Sequence, residues 1–453
     1  MSETSHTDQN VSDTERIERD TIKISQDIIK FMVNGKSYHD HQAARADRNQ
    51  KLKTVFGIDN AFTTHDRDVK KDFSTNSTNL MQKAVGLEKN PEEDWTALRA
   101  RAVSYFWEYM NRSPDSTSLK LAEMVQFITL KTSLYYLFPE SDGYDSDGAF
   151  DDIVYIGDRI NKLWIQSKDQ SVLTDWSNEI RLHDALKRVT RKKSNSWVNT
   201  PRILTEIWNT MQHVAYGDKS PEPTIPSRNP MNLILPAYET MWRVVMRCFL
   251  EIRYREAEDG PAWSCIMEQY LKELENPKAL KQKAFFKVSE IGVSPMDLVK
   301  EAMRLYPPTR RVHRLFNSEP ASANIEQCHR FNVLAAPDPL QFSPARWQKI
   351  AAEILKKPEN KDRDEKTIIK LGEGRLGFMP FAFHCPSSKS ETKGFGFKMV
   401  GLLVAVLCAH IGDEWQLGHV LEVEELAGMD EESSHQAPLK SERQDYEDLE
   451  LTK

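Results

Sequence analysis

Cysteine is scarce: five residues in 453, at positions 248, 265, 328, 385 and 408, with no pair in CxxC spacing. An odd, scattered set excludes a disulfide framework and a zinc ribbon, and points to free thiols in a reducing compartment. Glycine (18) and proline (22) are too few for a collagen-like or low-complexity chain. No run approaches the ~18 consecutive apolar residues of a membrane span. The longest candidate, Met399 to Ile411, reads as a buried helix. No apolar segment follows the opening Met-Ser-Glu-Thr-Ser-His, so no secretory signal is expected. Basic charge is not in excess either: 61 basic against 68 acidic residues, net −7, argues against a globally basic nucleic-acid binder. There is no phosphate-binding Walker loop and no dinucleotide fingerprint.

What is present is apolar and aromatic mass: 39% hydrophobic residues, with 19 Phe, 13 Tyr and 10 Trp, enough for a large core. Residues 1–11 read as a polar flexible tail ahead of one domain spanning 12–453. Ser12-Asp13-Thr14-Glu15 fits a capping box, and Ile17, Ile24, Ile28 and Met32 follow at helical spacing to a stop at Asn34-Gly35. Further helices are expected from Glu93-Asp94 to Arg112, and over Leu119–Leu137, Phe150–Gln166, Leu173–Arg188, Pro201–His213, Asn232–Glu256, Trp263–Leu274, Pro295–Leu305 and Phe395–His410. Thr309–Phe316 and Tyr446–Leu451 are the best strands. The fold class is mainly α with small β-sheets. The stretch Ser220–Pro230 reads as a linker or as a loop entering the helix that follows, and the acidic run after Leu421 as a solvated loop.

Four segments carry the chemistry. In Glu301-Ala-Met-Arg304-Leu-Tyr-Pro-Pro308, an acid and a base three apart share a helical face, and proline ends the helix. Asp338-Pro-Leu-Gln-Phe-Ser-Pro-Ala-Arg346-Trp347 is a proline-punctuated loop. Gly377-Phe-Met-Pro-Phe-Ala-Phe-His-Cys385-Pro386 presents a cysteine shortly before an apolar helix, where free N–H groups and the helix dipole favour a thiolate. Asn232-Leu-Ile-Leu-Pro-Ala-Tyr-Glu239-Thr240 sets an acid and a hydroxyl side by side in an apolar helix.

In this order and spacing the segments resemble the cytochrome P-450 superfamily of haem-thiolate monooxygenases, over roughly residues 50–453. Phe56-Gly-Ile-Asp-Asn-Ala-Phe62 and Tyr446-Glu-Asp-Leu449 look like its filamentous-fungal members. The resemblance implies haem b held through Cys385. It implies a structural ion-pair cluster of Glu301, Arg304 and Arg346, and an acid–alcohol pair, Glu239 and Thr240, that delivers protons. Trp95 and Arg99 match a WxxxR helix whose two side chains reach one haem propionate. Arg310, Arg311, His313 and Arg314 follow the ExxR helix where the other propionate is held, and which of the four does so is open. The activity implied is oxidation of a hydrophobic small molecule, in fungal secondary metabolism, with electrons from NADPH through a flavin reductase. A thiolate pushes electron density onto iron, and buried propionates need cationic partners.

The cysteine loop departs from the family pattern Phe-x-x-Gly-x-Arg/His-x-Cys-x-Gly. Phe381, Phe383 and Ser387 stand where Gly, Arg or His, and Gly are usual, and the insertion Lys389–Lys393 follows. Pro236 and Ala237 replace small residues in the central helix. His384 is the alternative ligand. These departures motivate two rivals: a haem-binding non-oxygenase such as an isomerase or cyclase, and a non-catalytic member acting as a binding protein. With no transmembrane anchor, a cytoplasmic protein or one peripheral on the endoplasmic reticulum is expected.

Overall fold

The computed structural model describes residues 12–87, 92–112, 117–168, 174–192, 221–255, 257–275, 281–357, 364–382, 394–418, 437–440, 442 and 445–453. Among these, the helices of ten residues or more are α1 (Asp13–Ile29), α2 (Arg67–Ala84), α3 (Thr96–Arg112), α4 (Leu121–Leu137), α5 (Ala149–Gln166), α6 (Ile180–Val189), α7 (Trp242–Arg253), α8 (Gly260–Glu273), α9 (Pro295–Leu305), α10 (Arg346–Leu355), α11 (Glu365–Arg375) and α12 (Phe395–His410). The strands are β1 (Met32–Val33), β2 (Lys36–Ser37), β3 (Ser118–Lys120), β4 (Arg311–Phe316), β5 (Glu319–Asn324), β6 (Gln416–Leu417) and β7 (Glu450–Thr452). They form three small sheets, β1-β2, β3-β7-β6 and β4-β5, so the chain is mainly α with small β-sheets.

The core is built around α4 and α12, whose side chains are buried nearly all the way round. A helix without a polar face has to be surrounded by protein or lipid. Here α12 is enclosed by α3, α7, α8 and α9. The longest apolar run is therefore a core helix, and no described helix is long and apolar enough to cross a membrane. At the other end of the chain α1 starts where the capping pattern places it: Glu15 N–H donates to Ser12 Oγ at 3.1 Å.

The hairpin β4-β5 pairs antiparallel from Arg311↔Asn324 to Phe316↔Glu319. Asn317 and Ser318 turn it with φ of 48° and 70°, the left-handed pair that a two-residue hairpin loop needs. Along β4, Val312, Arg314 and Phe316 face inward, while Arg311 and His313 face out. The strand expected at Tyr446–Leu451 is confined to β7, which joins β3 to β6.

The helix expected over Asn232–Glu256 is broken. It runs as Met231–Ile234, a π-helical turn at Leu235–Glu239, and then α7. Pro236 has no N–H, so it leaves the Asn232 carbonyl without its usual donor one turn on. Asn60 Nδ2 donates to that carbonyl instead, at 3.0 Å. The same corner is tied by Asp59 N–H to Asn232 Oδ1 at 2.8 Å and by Asn229 Nδ2 to the Phe56 carbonyl at 2.9 Å. The segment Phe56–Phe62 is thus a clamp on the head of the central helix. The helix expected from Leu173 starts only at Ile180, after a 3-10 turn at Trp176–Asn178. Helix α2 and helices α10 and α11 were not foreseen. The expected Pro201–His213 helix, the tail 1–11 and most of the acidic run after Leu421 lie outside the described residues.

Asn60→Ala should destabilise the protein by roughly 1–3 kcal/mol, the cost of stranding a buried acceptor. In a Pro236→Ala background the loss should shrink, because residue 236 can then donate. Urea denaturation of the four members of this cycle measures it; strictly additive losses would assign Asn60 another role.

Candidate functional site

Helix α9 begins with a full capping box. Asp297 N–H donates to Ser294 Oγ at 3.3 Å, Ser294 N–H donates back to Asp297 Oδ2 at 2.9 Å, and Pro295 stands at the first turn. One turn before its end lies Glu301, with no solvent exposure. Arg304 grips it with both edges of its fork, Nη2 to Oε1 at 2.8 Å and Nε to Oε2 at 3.0 Å. Arg346 Nε donates to Oε1 at 3.0 Å, Ser343 N–H to Oε1 at 2.9 Å, and Trp347 Nε1 to Oε2 at 3.0 Å. Two guanidiniums against one carboxylate leave a net buried positive charge. Backbone carbonyls take up the remaining donors: those of His329, Pro339 and Gln341 accept from Arg304, and those of Ala335, Asp338 and Gln341 accept from Arg346. Burial still holds Arg346 below its ordinary proton affinity, with Glu301 offsetting part of that.

His329 connects this cluster to the cysteine loop. Met379 N–H donates to His329 Nε2 at 2.9 Å, so the ring proton sits on Nδ1, 3.2 Å from the Arg304 carbonyl it bonds. Burial, then Arg304, push this histidine down to about 3, so it is neutral. Phe378 lies against the Trp347 ring at 4.5 Å and the His329 ring at 5.2 Å. Thr309 N–H donates to the Pro380 carbonyl at 3.3 Å. Residues 378–382 are therefore anchored to α9, to α10 and to the lead-in of β4. Phe383, His384, Cys385, Ser387 and the insertion 389–393 lie outside the described residues.

The cationic candidates divide by environment. Trp95 is buried and donates from Nε1 to Glu93 Oε2 at 2.8 Å; the same carboxylate pairs with Lys398 of α12. Arg99 donates from Nε to the Leu271 carbonyl at 3.1 Å and from Nη2 to Glu275 at 3.0 Å, closing the end of α8. Arg310 pairs with Glu326 at 2.8 Å and Glu442 at 3.2 Å. Arg311 and His313 are exposed on the outer face of β4. Arg314 differs from the other three: it is 8% exposed, and its Nε is buried without a partner among the described residues. That buried Nε, on a guanidinium whose Nη1 donates to the His313 carbonyl at 2.9 Å, fits a buried anion such as a haem carboxylate.

The acid and alcohol of the central helix both hold partners. Thr240 Oγ1 donates to the Pro236 carbonyl at 2.8 Å, one turn back. Glu239 accepts from Arg243 through one oxygen and from Trp242 Nε1 at 3.3 Å through the other. Arg243 also donates to Asn161, which donates to Glu447 in the closing Tyr446–Leu449 segment.

Sequence reasoning missed His329, Glu251, Arg247 and Arg255. Glu251 of α7 is fully buried and accepts from the Tyr306 hydroxyl, which itself accepts from Leu439 N–H at 2.8 Å. Arg247 donates to the carbonyls of Lys440 at 2.8 Å and Glu442 at 3.2 Å, and Arg255 to that of Ala437. The C-terminal segment is thus fastened to α7 by side chains whose only sequence signal was polarity inside an apolar helix.

Against known proteins, no family model and no curated protein matches the chain.

Glu301→Ala should cost roughly 3–5 kcal/mol, because it leaves two guanidiniums buried without a counter-charge. Unfolding of the purified variant measures this, and an unchanged midpoint would refute the cluster's role. Burial raises Glu251 from its ordinary 4.5 to about 7, with Arg255 and Tyr306 opposing. The folded chain then holds a proton that the unfolded chain has already released between about pH 4.5 and pH 7, so stability falls as pH rises through that window. Glu251→Gln should remove this limb from a plot of urea midpoint against pH.

Proposed function

We propose that the chain is a haem-thiolate protein of the cytochrome P-450 type that oxidises a hydrophobic small molecule. It would draw electrons from NADPH through a flavin reductase and act in the cytoplasm or at the surface of the endoplasmic reticulum. The observation that carries this reading is the buried cluster of Glu301, Arg304 and Arg346, coupled through His329 and Trp347 to the loop that leads to Cys385. A loop that presents a thiolate beside a large cofactor has to be held rigidly from behind, and a saturated buried ion-pair network does that.

Haem, when bound, would supply activation of molecular oxygen for insertion into a substrate C–H bond. Cys385 Sγ is the ligand in this reading, and Arg314 a holder of a haem carboxylate. The apolar faces of α4 and the central helix exclude water. The π-helical turn at Leu235–Glu239 widens the helix at the acid–alcohol pair, as such turns often do at functional sites. There Thr240 keeps its hydroxyl proton on the Pro236 carbonyl, and Glu239 keeps its carboxylate on Arg243. To move a proton inward, Thr240 Oγ1 has to turn from that carbonyl and Glu239 from its arginine.

Those two fixed partnerships favour a second reading, a haem-binding isomerase or cyclase that needs no proton delivery. The tests separate the two. Purified protein loaded with haem and reduced under carbon monoxide should give the strongly red-shifted Soret band of thiolate ligation, lost in Cys385→Ala. A band at the histidine-haem position would sink the thiolate assignment. With a substrate that turns over, Thr240→Ala should lower product per NADPH consumed if the protein is an oxygenase. Unchanged yield favours the isomerase or cyclase.

A further inference from the structure

Trp95 stands at the head of α3 and has one side-chain donor, its indole N–H. That donor goes to Glu93 Oε2 at 2.8 Å, and the indole is 1% exposed. The same oxygen accepts from Nζ of Lys398, on α12, and the lysine and glutamate side chains are 9% and 11% exposed. Among the described residues neither member of this pair is joined to any other charge, so one buried cation meets one buried anion. Rings close the joint. Phe395 of α12 lies 5.3 Å from the Trp95 ring and 5.3 Å from that of Tyr136 on α4. The Phe286 ring centroid is 5.9 Å from Lys398 Nζ. On the side of α8, burial and then the Glu93 charge push the Tyr270 hydroxyl well above its ordinary value. Arg99, one turn into α3, is engaged elsewhere, by the Leu271 carbonyl and Glu275 at the end of α8.

We propose that Glu93 is a built-in carboxylate: the chain itself supplies the anion that Trp95 and Lys398 bind, and a cofactor carboxylate has no place at the head of α3. A second carboxylate at Trp95 would have to displace Glu93, because one indole N–H serves one acceptor in full. It would also set two anions against a single buried ammonium, and a buried charge without a partner is strongly destabilising. The WxxxR spacing is therefore present while its two side chains do structural work. Trp95 ties α3 to α12 through Glu93, and Arg99 ties α3 to α8. No local pattern marks the pair, since Lys398 lies more than 300 residues from Glu93 in the chain. The statement about a cofactor rests on the reading proposed above, on which haem is held without help from Trp95 or Arg99. The joint itself does not depend on that reading.

Two measurements on the full chain test this. The first is thermal melting of haem-free wild type, Glu93→Gln, Lys398→Met and the double variant. Each single change should lower the midpoint by several degrees. The double variant should melt no lower than the worse single one, because the second change removes the charge that the first left unpaired. Strictly additive losses, or unchanged midpoints in both single variants, would overturn the joint. The second is a haem titration of wild type, Trp95→Phe and Glu93→Gln, followed by the Soret band. The three dissociation constants should agree within about twofold. A loss of about tenfold in Trp95→Phe, the size of one charge-assisted contact, or a comparable gain in Glu93→Gln would place a haem carboxylate at Trp95 and overturn the inference. If haem binds to none of the three, the haem-thiolate reading falls, and the melting cycle alone decides the joint.

Discussion

Everything around the candidate site hangs on one carboxylate. Glu301 is held by Arg304, Arg346, Trp347 and the backbone of Ser343, and it is wholly inside. Its own desolvation is offset only because each oxygen is saturated. The surplus positive charge then needs carbonyl oxygens, and only an irregular loop can aim several at one point. The path of residues 335–347 follows from that requirement: helix and strand commit their carbonyls to their own ladders. The Glu301 cluster therefore dictates loop structure on one side and, through His329, fixes Met379 on the other.

The same device recurs at the far end of α7. Arg247 of α7 and Arg255, two residues past its end, reach carbonyls of the C-terminal segment, and Tyr306 links Glu251 to Leu439. Tyr306 follows directly on α9, so the segment that ends the chain and the helix that carries Glu301 share a buried polar joint. The central helix is handled differently. Pro236 breaks it, Asn60 satisfies the freed carbonyl, and a π-helical turn absorbs the mismatch just before Thr240. Its acid is joined by Arg243 and Asn161 to Glu447, so helix, α5 and C-terminal turn meet at one charged point.

Much of the architecture was legible because it depends on neighbours in sequence. Helix α9 was read to its ends and closed by the prolines that follow Tyr306, α12 came from an unbroken apolar run, and β4 was expected within two residues of its start. The pairing of Glu301 with Arg304 follows from a three-residue spacing. Helices α2 and α11 were missed because their stretches are rich in charged and polar residues, while α10 carries a legible amphipathic spacing, with Trp347, Ile350 and Ile354 on one face, that was not read. The broken central helix was half legible: a proline at 236 cannot donate within the helix, but the form of the break depends on Asn60, more than 170 residues away.

The candidate site shows the same division. Spacing alone paired Glu301 with Arg304, and the resemblance implied Arg346 and Cys385 as their companions. Nothing local distinguished Arg314 from Arg310, Arg311 and His313. The decision came from pleat parity, which turns Arg314 inward, and from acids elsewhere in the chain that claim Arg310. His329 carries no motif at all; it acquires its place from Arg304 and Met379, both more than twenty residues distant. Sequence by itself determined which groups exist and which share a helical face or a strand face, since those periods are set by backbone geometry. Tertiary structure alone decided which charges are buried and which remain without a counter-charge, because desolvation and long-range partners arise only when the chain closes on itself.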